Sequence, residues 1–124
     1  MAIPEQLGRR ILVVDDDESV SATLRRVLAL DGHKAEIVSG SSEALMALEQ
    51  SKFDLVITDY EMPGMKGDRL AAEIKARIPT QLILMFTAYV EHVKSLTCPV
   101  DLILGKPCGL GELREAVNKL LGIC

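Results

Sequence analysis

Residues 11–19 read ILVVDDDES, four apolar residues running straight into three aspartates. An unbroken aliphatic run of this length suits a strand buried on both faces, the situation of a parallel sheet. The aspartates pose the opposite problem. Two carboxylates about 4 Å apart repel by roughly 4 kcal/mol at an effective dielectric near 20, which is about three pKa units. Either they point apart into water, or something cationic sits between them.

Outward from this stretch the apolar period switches repeatedly between short continuous runs and helical spacing. Val20, Leu24, Val27 and Leu28 follow at i, i+4, i+7 and i+8, one face of a helix, which Asp31-Gly32 ends. KAEIVS (34–39) predicts a second strand, and SSEALMALEQS (41–51) a helix with a serine N-cap and Ala44, Leu45 and Leu48 facing inward. FDLVITD (53–59) is a third strand, YEMPGMKG (60–67) a loop, and DRLAAEIKARI (68–78) a helix ended with the help of Pro79. QLILMFT (81–87) is a fourth strand with a short helical stretch after it, and VDLILGKP (100–107) a fifth. A last helix over 109–121 carries Leu110, Leu113, Val117 and Leu120 on one face. Strands alternating with helices predict one doubly wound α/β domain, a parallel sheet with right-handed crossovers and helices on both faces.

The totals fit. A chain of 124 residues is the size of one domain and buries enough surface to fold without a disulfide or metal. Its composition, 48% apolar with four aromatic residues, points to an aliphatic core. Net charge is −4 and the basic residues form no run, which argues against a nucleic-acid partner. No apolar run approaches the roughly 18 residues of a membrane span, so a soluble intracellular domain is expected. Cys98, Cys108 and Cys124 match no paired metal spacing and read as reduced thiols. Cys108 beside a lysine is a packing residue sooner than a redox sensor. His33 and His92 stand alone and receive no role.

In a parallel sheet, ligands bind at the carboxyl ends of the strands. The polar residues there are Asp15 and Asp16, Asp59, Thr87 and Lys106. Three carboxylates and one ammonium leave a formal −2, which a divalent cation would neutralise. An all-oxygen donor set favours Mg²⁺ or Mn²⁺ over zinc. Lysine and threonine beside such an ion suit a phosphoryl group, with an aspartate available as nucleophile. A single strand-end aspartate would be read as a helix cap, and Asp17 is so read.

The ordered motifs VVDD, ITDYEMPGMKG, FTA and GKP resemble those of the receiver domain of two-component response regulators, from about Arg10 to Leu121. The resemblance implies a flavodoxin-like, CheY-like sheet of order 2-1-3-4-5 flanked by five helices, in one receiver domain over 1–124 with its core at about 10–121. It implies that Asp59 accepts a phosphoryl group from a sensor histidine kinase or phosphotransfer protein and switches contacts with a downstream protein target. Asp16, with Asp15 partly through water, Asp59 and the backbone carbonyl of Glu61 would hold Mg²⁺, Mn²⁺ being an alternative. Thr87 and Lys106 would contact the phosphoryl group, small Ala88 would leave room for the donor, and Glu61 and Tyr89 would tune the phosphoryl lifetime. The Lys106–Pro107 peptide would be cis. The resemblance further implies a cytoplasmic protein, a monomer or weak homodimer, with neither membrane nor nucleic-acid partner and no turnover of an external substrate. Because the chain ends soon after the last helix, no separate output domain is expected.

The sequence departs from the family where an aromatic usually precedes the lysine by three residues and Ile103 stands instead. Gly105 and Cys108 replace bulkier residues, Lys66 replaces a common acid, and the segment between Thr87 and Lys106 is short. Ile103, Gly105, Cys108 and the short segment put the usual output face, between the fourth helix and fifth strand, in question and point to another face, such as the first helix. Two other readings compete. One is a phosphorylation-independent interaction module on the same fold. The other is a haloacid-dehalogenase-type phosphatase with Asp15 as nucleophile and Asp17 as acid, disfavoured because no aspartate follows Lys106.

Overall fold

Alternate residues of the first strand face opposite sides of the sheet, and both sides are covered. The computed structural model describes residues 8–123; Cys124 and the first seven residues, which belong to the expected 1–124 domain, lie outside that range. Strands β1 (Arg10–Val14), β2 (Lys34–Val38), β3 (Leu55–Thr58), β4 (Ile83–Thr87) and β5 (Leu102–Gly105) alternate with helices α1 (Glu18–Leu30), α2 (Ser41–Gln50), α3 (Gly67–Arg77), α4 (Val90–Lys94) and α5 (Leu110–Leu120). All strand pairs are parallel and the order is β2-β1-β3-β4-β5. The predicted doubly wound sheet is the one observed.

Ile11 and Val13 pack with Leu24, Val27 and Leu28 of α1 and with Leu113 and Val117 of α5. Leu12 and Val14 pack on the other face with Ala44 and Ala47 of α2 and Leu70, Ala71 and Ile74 of α3. Side chains of a strand alternate, so one four-residue run supplies both cores. That is why it carries no polar residue.

Two local expectations need correction. Ser41 is not the N-cap of α2: Gly40 holds that position without a side-chain cap, Ser41 is the first helical residue, and its hydroxyl donates to the Met65 carbonyl at 2.9 Å. The inward face of α2 is Ala44 and Ala47, with Leu45 and Leu48 half-buried at its flank. Leu110 does not join the core face of α5; it is 55% exposed at the first turn, while Ala116 is buried in its place. Both misplacements fall at helix starts, where one residue of offset rotates a side chain by about 100°.

Candidate phosphoryl site at the carboxyl edge of the sheet

The register brings the strand-end residues together. Val14 pairs with Thr58, and Thr87 with Gly105. The ladder continues one residue beyond: Asp15 N–H donates to Val38 O at 3.1 Å, Asp59 N–H to Val14 O at 3.1 Å, and Lys106 N–H to Thr87 O at 2.9 Å. The backbone thus fixes Asp15, Asp59 and Lys106 along one edge before any side chain contributes.

Lys106 Nζ lies between the two carboxylates, 2.9 Å from Asp15 Oδ2 and 3.0 Å from Asp59 Oδ2. The three consecutive aspartates are thus divided: Asp16 and Asp17 face water, and Asp15 is buried against a cation that it shares with Asp59. Asp15 is 4% exposed, and an isolated ionised carboxylate at such a depth is costly without a partner. Burial draws the Lys106 pKa down, but the hydrogen bonds and charges of Asp15 and Asp59 outweigh it and hold the ammonium above its ordinary value. The same nitrogen sits 5.3 Å from the centre of the Phe86 ring, within cation–π range.

The remaining carboxylate oxygens are also placed. Asp15 Oδ1 accepts the Asp17 N–H at 2.9 Å and Asp59 Oδ1 the Tyr60 N–H at 2.6 Å. Both carboxylates are therefore oriented by main chain on one side and shared with Lys106 on the other. Asp16 is exposed and has no part in this contact. Among the described residues, no three His, Cys, Asp or Glu side chains are gathered closely enough to hold a metal ion. The oriented acids are two, not the expected three. An ion of the Mg²⁺ type still fits such a pair, because it takes one or two carboxylates and keeps several waters.

Thr87 is fully buried and its hydroxyl accepts the Tyr89 N–H at 3.1 Å. Ala88 and Tyr89 beyond it are exposed, Ile103 is half-buried on β5, and Pro107 is exposed after a cis Lys106–Pro107 peptide. The Glu61 side chain is exposed and ion-paired with Lys66. Asp17 caps α1, accepting from the backbone N–H groups of Ser19 at 2.9 Å and Val20 at 3.3 Å and from the Ser19 hydroxyl at 2.7 Å. Those bonds, the hydroxyl's foremost, pull its pKa below the ordinary carboxylate value. A carboxylate so held is a poor general acid, which removes a requirement of the dehalogenase-type reading. Burial, with Glu112 nearby, pushes the Cys108 thiol up, away from thiolate chemistry, and its side chain packs against the α1–α5 core.

Three residues near the edge were invisible to the sequence reading. Gly67 opens α3 with its N–H donating to Tyr60 O at 2.9 Å. A Cβ there would lie 2.2 Å from Asp59 O and 2.9 Å from Tyr60 Cα. Glycine is required by this approach of helix to loop, and the signal was a glycine at a helix start without turn chemistry. Tyr60 and His92 meet across the β3–α3 loop and α4, the hydroxyl 3.2 Å from Nε2 and the rings edge-on at 5.2 Å. No periodicity announces that contact.

The family model for the response regulator receiver domain matches residues 11–118. The chain is 35% identical over 115 residues to the response regulator MprA of a Mycobacterium species, covering 90% of this chain and 50% of that protein. The chain spans no more than half the length of the first curated relatives it matches. Among solved structures, the response regulator TrrA of Thermotoga maritima, in complex with Mg²⁺ and BeF, superposes with a TM-score of 0.85 at 35% identity, over 90% of this chain and 98% of that one. The complex of histidine kinase ThkA with TrrA gives a TM-score of 0.83 at 36% identity, over 91% and 98%. Among the described residues no helix is long and apolar enough to cross a membrane.

Proposed function

The chain belongs to the response regulator receiver domain family, and from that premise we propose that Asp59 is its phosphoacceptor, fed by a histidine kinase or phosphotransfer protein. The observation that carries this reading is the placement of Asp59 Oδ2 and Asp15 Oδ2 on one Lys106 ammonium. It supplies an oriented nucleophile and a cation ready to move onto a phosphoryl oxygen.

In the transfer, a carboxylate oxygen of Asp59 forms the new P–O bond as the P–N bond to the donor imidazole breaks. The bond pair stays on the imidazole nitrogen, which takes up a proton from water. Lys106 compensates the equatorial charge, and the Thr87 hydroxyl, whose oxygen accepts the Tyr89 N–H, donates its O–H to a phosphoryl oxygen. Asp15, Asp16, Asp59 and the Glu61 carbonyl would hold Mg²⁺, or Mn²⁺, which supplies charge neutralisation at the transferring group. Reset is attack of water on phosphorus: the P–O bond to Asp59 breaks, the pair returns to the carboxylate, and inorganic phosphate leaves. Tyr89 and Glu61, both exposed, would tune how fast this water attacks.

The donor reaches Asp59 past Ala88. A groove lined by Val20, Leu24, Phe86, Pro107 and exposed Leu110 opens beside Lys106 and supports docking of an apolar helical face of the partner. We read the chain as one receiver domain with its core at about 10–121, cytoplasmic, without turnover of an external substrate, and signalling by contact with a protein target. Intact mass after incubation with acetyl phosphate and Mg²⁺ tests the proposal. One added phosphoryl group, absent in Asp59→Asn and without Mg²⁺, is expected. A group that survives Asp59→Asn and depends on Asp15 would overturn it, and no addition in a folded protein would favour an interaction module.

A further inference from the structure

We propose that Tyr60 is a positioning residue with two ends, linking the charge on Asp59 to the seating of α4 through His92. The inference rests on the proposed role of Asp59 and adds the route by which its state leaves the site. At one end, Tyr60 N–H donates to Asp59 Oδ1 at 2.6 Å. At the other, the Tyr60 hydroxyl lies 3.2 Å from His92 Nε2, with the two rings edge-on.

Helix α4 has five residues, too few to be stable by its own hydrogen bonds. It is held in place by side chains. Val93 is fully buried, and Val90 occupies the space beside Gly105, where a Cβ would meet Val90 Cγ2 at 3.0 Å. His92 reaches Tyr60. Its start is tied to the sheet edge by Tyr89 N–H on Thr87 Oγ1. An element held by so few contacts belongs to the low-stability end of a domain.

A hydrogen bond to an ionised carboxylate is roughly twice as strong as one to a neutral oxygen. Forming the acyl phosphate turns the oxygen that faces Tyr60 N–H from part of an anion into a carbonyl or bridging oxygen. The main-chain end of Tyr60 is thereby loosened, and its side chain carries the change to His92. By linkage, a change at His92 must act back on Asp59.

The test is a double-mutant cycle of Asp59→Asn and His92→Phe, read on the backbone amide shifts of Tyr60 and Val90–Lys94. Asp59→Asn removes the charge without any phosphoryl group, so the cycle works whether or not Asp59 is the acceptor. Non-additive shifts across α4 support the link, and additive shifts overturn it. Phosphoryl lifetime by intact mass provides the second readout, in Tyr60→Phe and His92→Phe. A change of at least about twofold, the equivalent of a weak net hydrogen bond, is expected although His92 does not touch Asp59. An unchanged lifetime in both variants, with phosphorylation intact, would overturn the link while leaving the proposed function standing. A wild type that takes no phosphoryl group would sink the proposed function alone, and the amide cycle would still decide the link.

Discussion

Replacing Gly67 by alanine tests how the phosphoacceptor is held. The new Cβ would sit 2.2 Å from Asp59 O, 2.9 Å from Tyr60 Cα and 3.0 Å from Asp59 C. All three are main-chain atoms, so no side chain can rotate away. Either α3 retreats or the Asp59–Tyr60 peptide does, by about 1 Å to restore ordinary contact, and overpacking of this kind costs about 1–3 kcal/mol. The upper end applies here, since the same movement strains the Gly67 N–H bond to Tyr60 O. At roughly 4 °C per kcal/mol for a domain of this size, the melting temperature should fall by about 8–12 °C. A shift of about 1 Å at the nucleophile should slow phosphorylation from acetyl phosphate on the order of 100-fold. Gly111→Ala is the matched control. It lies in α5 with nothing within 4 Å of the added Cβ, and alanine over glycine in a helix is worth about 0.5–1 kcal/mol. Urea unfolding and phosphorylation rate are measured on both variants. The expected signs are opposite; a Gly67→Ala protein as stable and as fast as wild type would refute the argument.

Lys106→Met removes the cation between Asp15 and Asp59. Since those acids hold the lysine pKa above its ordinary 10.5, the pairing stabilises the fold fully below that value and is lost as pH rises through the raised one. In chelator, the melting-temperature gap between wild type and variant should be widest below pH 10.5 and close above it; a constant gap would contradict this. Arg114 hydrogen-bonds Asp31 and keeps its pKa below the ordinary 3.8, so Asp31→Asn should destabilise at neutral pH and converge with wild type as pH falls through that depressed value. Equal urea midpoints at pH 7 would show the pair to be inert. Asp17→Ala should lower the melting temperature through loss of the α1 cap and leave phosphorylation unchanged, whereas a lost phosphorylation signal would mean that the residue belongs to the site.

The sheet was legible because its physics is one-dimensional. A strand buried on both faces is almost wholly apolar, so ILVV, LVIT and ILMFT, polar only at a closing threonine, stand out from the helices that separate them. Parallel pairing then places the residue after each strand on a common edge, and the polar residue at each terminus named Asp15, Asp59, Thr87 and Lys106. The edge strands were harder. In β2 and β5 most side chains are half-buried, so their patterns are weaker than those of the three central strands. The helix starts failed for Ser41 and Leu110, because a cap is decided by backbone angles one residue wide and the apolar period does not resolve a single residue.

What remained hidden has one physical form: a contact with main-chain atoms, or between side chains whose spacing in sequence is arbitrary. His33 is such a case. It is 4% exposed, its Nδ1 accepts the Arg9 N–H at 3.1 Å and its Nε2 lies 3.0 Å from Asn118 Oδ1. With Asn118 and Arg114 both donating to Asp31, it ties the end of α1 to α5 at the edge opposite the aspartates. Its ring nitrogens are both committed, so its role is to join elements 85 residues apart, not to carry a phosphoryl group. Gly67 and the Tyr60–His92 pair belong to the same class on the functional edge. Residue type and period identify groups able to react; the atoms that hold those groups within an ångström are fixed by contacts that a pattern along the chain does not encode. Variants at Gly67, Tyr60 and His92 therefore probe the site more sharply than further changes in the aspartates, whose removal abolishes chemistry and geometry together.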